Sequence, residues 1–257
     1  MRLALHPTGE TGHRAGRILL AEPGLEALGV YGRRSAATEE RRAMAITDLA
    51  GFAVLASDDT VAPFDLAALA LEDGLSCVLA ADVTPHPALA ERFAAIGRSL
   101  LVAASLPGLA EALAHRASGR TAAPGALLVA WTREGKPERR EVAVPFPDPV
   151  GARWGTRLSP HGGDAATTTR AEVPVEGPWA GALARVTVGT GRKREERLVA
   201  VADDRRHLEA IALAAGALVL TRGEAPPGAC RPGEVAAAYL DACLGVGLEV
   251  AGVGRRD

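Results

Sequence analysis

The feature that most constrains this fold is a regular alternation of apolar and helix-like segments over the first 118 residues. Five apolar segments have the length of buried strands: residues 2–6, 28–31, 52–56, 77–81 and 100–103. Helix-like segments separate or follow them: residues 12–21, 36–44, 64–72, 88–96 and 109–116. Since strands alternating with helices favour a parallel sheet covered on both faces, we predict a Rossmann-like α/β domain over residues 1–118.

The pattern changes after a linker-like stretch at residues 118–125. Predicted strands at 126–132 and 140–145 are joined by a polar turn, and a second predicted hairpin pairs 182–188 with 197–201. A long loop is expected at 145–169 and an Ala-rich helix at 206–220. These elements predict a smaller α+β domain with antiparallel strands over residues 119–230. The remaining residues, 231–257, are expected to form a helix that packs back on the first domain, followed by a short strand at 248–251.

Composition excludes several classes of protein. The 29 Lys and Arg balance 31 Asp and Glu, so the formal net charge is −2, which argues against a bulk electrostatic nucleic-acid binder. Aromatic residues make up 4%, too few for base-stacking platforms. No apolar run is long enough to span a membrane, and residues 1–7 are too short an apolar burst for a signal peptide.

The three cysteines, Cys77, Cys230 and Cys243, are widely spaced. An odd number without metal-ligand spacing predicts a reduced, cytoplasmic protein with no metal site.

A glycine-containing turn follows the first predicted strand. Gly9, Gly12 and Ala15 follow a Gly-x-x-Gly-x-x-Ala pattern at the start of a helix. Glycines let the backbone approach a diphosphate, and a helix N-terminus presents unpaired N–H groups to it. We therefore predict cofactor contacts from six residues of this turn: Thr8, Gly9, Thr11, Gly12, His13 and Ala15. The alternative is an ordinary strand-to-helix turn.

The end of the second predicted strand indicates which dinucleotide would bind. An acid is expected there, about 20 residues past the turn, when the ligand is NAD. This chain has Arg33 and Arg34 instead, which suit the 2′-phosphate of NADP, so NADP is predicted over NAD. The alternative is a solvated pair of surface arginines. Ser57 and Asp58, after the 52–56 segment, are also expected to touch the cofactor, although Asp58 could instead cap a helix.

Five segments together resemble the saccharopine dehydrogenase-like family of NAD(P)-binding proteins. They are residues 9–17, similar to Gly-Ala-Thr-Gly-Tyr-Thr-Gly-Arg with one extra residue, and residues 31–33, 74–82, 106–109 and 223–234. The resemblance implies an NAD(P)-dependent oxidoreductase that acts on an amino-acid-derived imine or carbonyl substrate. The strand and helix order also resembles dihydrodipicolinate reductase, but the double-His and Ala-Pro-Ser-Gly-Thr segments of that enzyme are absent.

Hydride transfer needs an acid or base near the substrate. Asp82 and His86 follow a predicted strand at the ligand-binding edge of the sheet, and His161 lies in the long loop of the second domain. These three residues are the catalytic candidates. The alternatives are a helix-capping role for Asp82 and surface positions for the two histidines.

We expect a small-molecule substrate in the cleft between the domains and a homodimer formed through the second-domain sheet. The scarcity of convincing acid–base residues leaves a second interpretation open. In it the chain is a non-catalytic nucleotide-binding protein, or a repurposed Rossmann fold used as a sensor or assembly module.

Overall fold

The structure, a computed structural model, describes residues 1–32, 42–119, 126–136, 140–158, 168–188 and 195–256. These residues form fourteen strands and six helices. The strands are β1 (Arg2–His6), β2 (Ala27–Tyr31), β3 (Ala43–Ile46), β4 (Val54–Ser57), β5 (Ser76–Leu79), β6 (Ser99–Leu101), β7 (Ala126–Glu134), β8 (Val142–Pro145), β9 (Ala152–Leu158), β10 (Thr168–Val175), β11 (Trp179–Val188), β12 (Glu195–Asp204), β13 (Gly228–Cys230) and β14 (Ala251–Arg256). The helices are α1 (Glu10–Ala21), α2 (Pro63–Glu72), α3 (Pro87–Ala95), α4 (Leu106–Ser118), α5 (Arg205–Thr221) and α6 (Ala236–Gly245).

The first sheet is parallel and has the strand order β13-β6-β5-β4-β1-β2-β3. The order reverses between β1 and β4, which is the switch point where ligands bind in open α/β sheets. The predicted Rossmann-like sheet is therefore confirmed. Its central strands are largely apolar because both faces are covered, as shown by Leu3, Ala4 and Leu5 of β1, each at most 2% exposed.

The second sheet is mixed, with the strand order β14-β12-β11-β7-β10-β9-β8. Strands β11 and β12 form the antiparallel hairpin that the sequence predicts, and β7 and β10 run parallel. A second, smaller domain with antiparallel strands is confirmed.

Three predicted elements are wrong. Strands β7 and β8 do not form a hairpin, because β7 pairs with β10 and β11 while β8 pairs with β9. The loop expected at 145–169 contains β9, which pairs with β10 although its own sequence lacks clear alternation. Residues 43 and 44, the end of the helix expected at 36–44, belong instead to strand β3, because pairing with β2 prevails over local propensity. The rest of that segment, residues 36–41, lies outside the described residues.

Helices α4 and α5 lie between the two sheets. Helix α4 packs on β7 and β11 of the second sheet, while α5 packs on α1, β4 and β5 of the first. Helix α6 packs against both α4 and α5. The boundaries at 118 and 230 stay a prediction, but β13 extends the first sheet and β14 pairs with β12 in the second, so sheet membership does not follow those two cuts.

Among the described residues, no helix is both long enough and apolar enough to cross a membrane.

Candidate functional site

A cleft of about 520 Å³ opens at the carboxyl edge of the parallel sheet. One wall comes from segments that follow β1, β4 and β5 and from the start of α4, and the opposite wall comes from β7, β10 and α5. The lining residues are Thr8, Gly9, Thr11, Asp58, Thr60, Ala80, Ala81, Asp82, Ser105, Leu106, Pro107, Trp131, Thr132, Arg133, Glu134, Glu172, Arg205 and Glu209. The cleft thus lies where parallel sheets bind ligands, with the second sheet facing it.

The glycine turn forms one end of the cleft, and the carboxylate of Asp58 lies against it. Asp58 Oδ1 accepts hydrogen bonds from the N–H of Thr8 at 2.6 Å and from its hydroxyl at 3.0 Å. Asp58 Oδ2 accepts from the N–H of Gly9 at 3.1 Å and of Gly12 at 2.8 Å. The donors that would bind a diphosphate in this turn are therefore already paired with a carboxylate of the same chain.

This arrangement tests whether a dinucleotide fits. A Cβ on Gly12 would lie 2.8 Å from Asp58 Oδ2 and 2.8 Å from Pro7 Cα, so the space opened by this glycine is filled by Asp58 and Pro7. A diphosphate would need the same N–H groups and would place negative charge beside the carboxylate. With Asp58 in this position the turn does not accept a diphosphate.

The structure brings several predicted cofactor residues together. Thr8, Gly9, Thr11 and Asp58 line the cleft, and Gly12 donates to Asp58 beneath them. Ala15 is fully buried against the sheet, where it lets α1 pack closely.

Other predicted cofactor residues lie apart from the cleft or outside the description. Ser57 is fully buried and donates through Oγ to the carbonyl of His6 at 3.2 Å. His13 lies in α1, with its N–H bonded to Gly9 O at 3.2 Å, and it is not among the lining residues. Arg33 and Arg34 lie outside the described residues.

The catalytic candidates are not brought together. Asp82 lines the cleft, but its carboxylate pairs with the guanidinium of Arg231 at 2.8 Å. His86 caps α3, since its Nδ1 accepts from the N–H of Ala88 at 3.2 Å, and it does not line the cleft. His161 lies outside the described residues.

Two cleft residues that sequence reasoning missed belong to α5. Arg205 donates through Nη1 to the carbonyl of Thr132 at 3.1 Å, while its buried Nε and Nη2 have no hydrogen-bond acceptor among the described residues. Glu209 accepts from the hydroxyl of Thr11 at 3.3 Å. Asp204 is the sequence signal that could have found them. It is the N-cap of α5, and its carboxylate accepts a hydrogen bond from the N–H of His207. Arg205 and Glu209, four residues apart, follow it on one face of the helix.

The electrostatics of the cleft are dominated by carboxylates. Five lining residues are acidic (Asp58, Asp82, Glu134, Glu172 and Glu209), whereas Arg133 and Arg205 are the basic ones described. Burial raises the pKa of Glu209, and the nearby charge of Arg205 and the hydrogen bond from Thr11 oppose the rise. Glu209 is thus the cleft carboxyl best placed to hold a proton, while no His or Lys is present among the described lining residues.

Metal binding finds no support in the described segments, which contain no cluster of three or more His, Cys, Asp or Glu side chains placed to hold an ion.

Comparison with known proteins locates the chain by fold. No family model and no curated protein sequence matches it. The Corynebacterium glutamicum DAP dehydrogenase in complex with DAP is similar at a TM-score of 0.61 and 15% identity, over 93% of this chain and 95% of that one. An engineered D-amino acid dehydrogenase bound to NADP+ is similar at 0.60 and 14%, over 93% and 95%.

A dihydrodipicolinate reductase from Paenisporosarcina sp. TG-14, with dipicolinate bound, is similar at a TM-score of 0.54 and 12% identity, over 90% of this chain and 97% of that one. Identities of this size establish a common fold and nothing finer. The chain has the two-domain, Rossmann-type fold of these dehydrogenases and of this reductase.

Proposed function

We propose that the protein is an NAD(P)-dependent oxidoreductase that uses NADP in preference to NAD. Its substrate is an amino-acid-derived imine or carbonyl compound, the substrate class that the sequence resemblance to the saccharopine dehydrogenase-like family implies. The observation that carries the proposal is the cleft itself. It lies at the switch point of the parallel sheet, it includes the glycine turn, and it is closed by the second sheet, as in a two-domain dehydrogenase.

The charges in the cleft support an amino-acid-like substrate. Arg205 places a positive charge in the wall of the cleft, and a substrate carboxylate would compensate that charge. Glu134 on the same wall suits an amine or iminium group, whereas Glu172 already pairs with Arg133 Nε at 3.4 Å. DAP and dipicolinate, the ligands of two proteins of similar fold, both carry carboxylates.

Three residues supply the proton-handling and orienting groups of this proposal. Glu209, whose pKa is raised by burial, is the proton-handling group of the cleft. Asp82 is fixed by Arg231 and orients substrate, and Thr132 ties Arg205 to the wall. His86 and His161 stay sequence-based predictions.

The first test is a fluorescence titration of the purified protein with NADPH and with NADH, repeated on the Arg33→Ala/Arg34→Ala variant. We expect NADPH to bind more tightly than NADH and the double variant to lose that preference. Equal binding of both cofactors would remove the NADP assignment. If neither NADPH nor NADH binds to the wild type or to an Asp58→Ala variant, the oxidoreductase function is contradicted.

A second test addresses the substrate. With an active imine or carbonyl substrate in hand, Arg205→Lys and Arg205→Met are compared by steady-state kinetics. We expect KM to rise for carboxylate-bearing substrates and to change little for an uncharged analogue. Equal effects on both substrates would assign Arg205 a purely structural role.

A second candidate function is the non-catalytic use of this fold as a sensor or assembly module. One specific observation favours it: Asp58 occupies the turn in which a diphosphate would bind. A protein that binds neither cofactor, even without the Asp58 carboxylate, would belong to this class.

A further inference from the structure

The Asp58 carboxylate lies at the N-terminus of α1, in the position that a bound anion takes at the start of a helix. Helix α1 begins at Glu10 after Gly9, which has no side chain to cap it. Asp58 supplies that cap from the end of β4, through three backbone N–H groups and the Thr8 hydroxyl at 2.6 to 3.1 Å. Because these are charge-assisted bonds at the positive end of a helix dipole, they are strong for their number.

The neighbourhood makes a second anion there unfavourable. Glu209 lies next to the turn through its bond with Thr11, and the negative charge of Asp58 contributes to its raised pKa, after the larger effect of burial. A diphosphate added beside Asp58 would face both carboxylates and would find no unpaired N–H at Gly9 or Gly12.

The backbone on either side of Asp58 is fixed. Ser57 Oγ accepts from the N–H of Asp59 at 3.0 Å, and Asp59 Oδ1 accepts from the N–H of Val61 at 2.7 Å. Among the described residues, only the turn holds the Asp58 side chain. Rotation about its own side-chain bonds is therefore the smallest movement that clears the turn.

We propose that the β1–α1 turn is an anion site whose resident anion is the Asp58 carboxylate, and that a phosphate-bearing ligand binds only by displacing it. Asp58 then sets the affinity of the cleft for phosphate groups. The inference deepens the proposed function, on which it rests for the identity of the phosphate ligand as a dinucleotide.

The experiment compares wild type, Asp58→Ala, Asp58→Asn and the matched control Asp59→Asn. Asp59→Asn removes the same charge one residue away and retains a side-chain oxygen for the Val61 N–H. Binding of inorganic pyrophosphate is measured by isothermal titration calorimetry, and NADPH binding by fluorescence. We expect Asp58→Ala to bind pyrophosphate and NADPH roughly tenfold or more tightly than wild type, with Asp58→Asn between them and the control unchanged.

Asp58→Asn keeps the shape of the side chain and an oxygen for the Thr8 N–H, so it tests the charge if Asp58→Ala does not fold. The proposal is overturned if the folded Asp58 variants bind pyrophosphate no more tightly than wild type, or if Asp59→Asn gives the same gain. A gain for pyrophosphate without NADPH binding in any variant would support the anion site and contradict the oxidoreductase function. If the wild type binds NADPH tightly and Asp58→Ala weakens that binding, the result would contradict the anion site and support the oxidoreductase function.

Discussion

Arg231 joins two carboxylates that come from distant parts of the chain. Its Nη2 lies 2.8 Å from Asp82 after β5, and its Nε lies 3.0 Å from Glu111 on α4. The Glu111 side chain is only 10% exposed, and it also pairs with Arg170 at 3.1 Å. A single guanidinium thus fixes the cleft wall to the helix layer beneath it.

Removing this guanidinium should be costly. Arg231→Met leaves Glu111 buried with one cation and Asp82 with none, so we expect the free energy of unfolding to fall by about 2 kcal/mol. Arg206→Met is the control, because Arg206 is 58% exposed and its partner Glu10 also pairs with Arg14, and there the loss should stay below about 1 kcal/mol. Urea denaturation of both variants provides the measurement. Equal losses would show that the Arg231 network adds nothing beyond a surface pair.

Glu209 should make stability depend on pH in a defined direction. Since burial raises its pKa, the folded protein binds the proton more tightly than the unfolded chain. Stability is therefore lost as the pH rises from the ordinary glutamate pKa through the raised value. Glu209→Gln removes this penalty while keeping an acceptor for Thr11.

We expect the Glu209→Gln variant to gain stability over wild type as the pH increases, with little difference at the acid end. Unfolding free energies between about pH 4 and pH 8 test this, with the exposed Glu224→Gln as control. A difference that does not change with pH would contradict the assignment.

At the scale of elements, α5 is the helix on which both sheets depend. Its residues from Ala210 to Leu220 are all buried, although a helix on a protein surface would bury one face. Gly216 allows the closest approach to the parallel sheet. A Cβ there would lie 2.9 Å from Val78 Cγ1 and 3.0 Å from Leu101 Cδ2.

Gly216→Ala should therefore destabilise the protein although alanine favours helices. We expect a loss of about 1–2 kcal/mol, because overpacking in a tight core outweighs the propensity gain of about 1 kcal/mol. Gly245→Ala, in α6, meets no atom within 4 Å and should be neutral or slightly stabilising. Thermal and urea unfolding of the two variants measure these changes in stability. A Gly216→Ala protein more stable than wild type would contradict the prediction and show that α5 can move away from the sheet at little energetic cost.

At the scale of the whole molecule, the two sheets share one hydrophobic core. It contains Leu3 and Val54 of the first sheet, Val129 and Ala182 of the second, and Leu213 of α5 between them. Tyr239 of α6 is fully buried in the same core and donates to the carbonyl of Ala212 at 2.9 Å.

A shared core predicts a single cooperative unfolding transition, in spite of the two sheets. Differential scanning calorimetry should give equal calorimetric and van't Hoff enthalpies. Residues 1–118 produced alone should remain unfolded, because the face of the first sheet that α5 covers would be exposed. Two resolved transitions, or a folded 1–118 fragment with dispersed NMR signals, would contradict this.

Local sequence patterns predict much of the first sheet. The strand, turn and helix at residues 2–21 and the long helix at 206–220 were predictable, because apolar periodicity, glycine breakers and N-caps act within a few residues. The mixed second sheet was harder. The pairing of β8 and β9 depends on which edge the parallel strand β10 leaves open.

The site divides in the same way. The sequence by itself determined the glycine turn and its position at the carboxyl edge of the sheet, since both follow from chain order and handedness. Only the tertiary structure decided what occupies that turn, because Asp58 lies 46 residues from Gly12 and reaches it through the pairing of β1 with β4. It likewise decided that α5 brings Arg205 and Glu209 to the cleft, since packing between the two sheets is a long-range property that no local pattern contains.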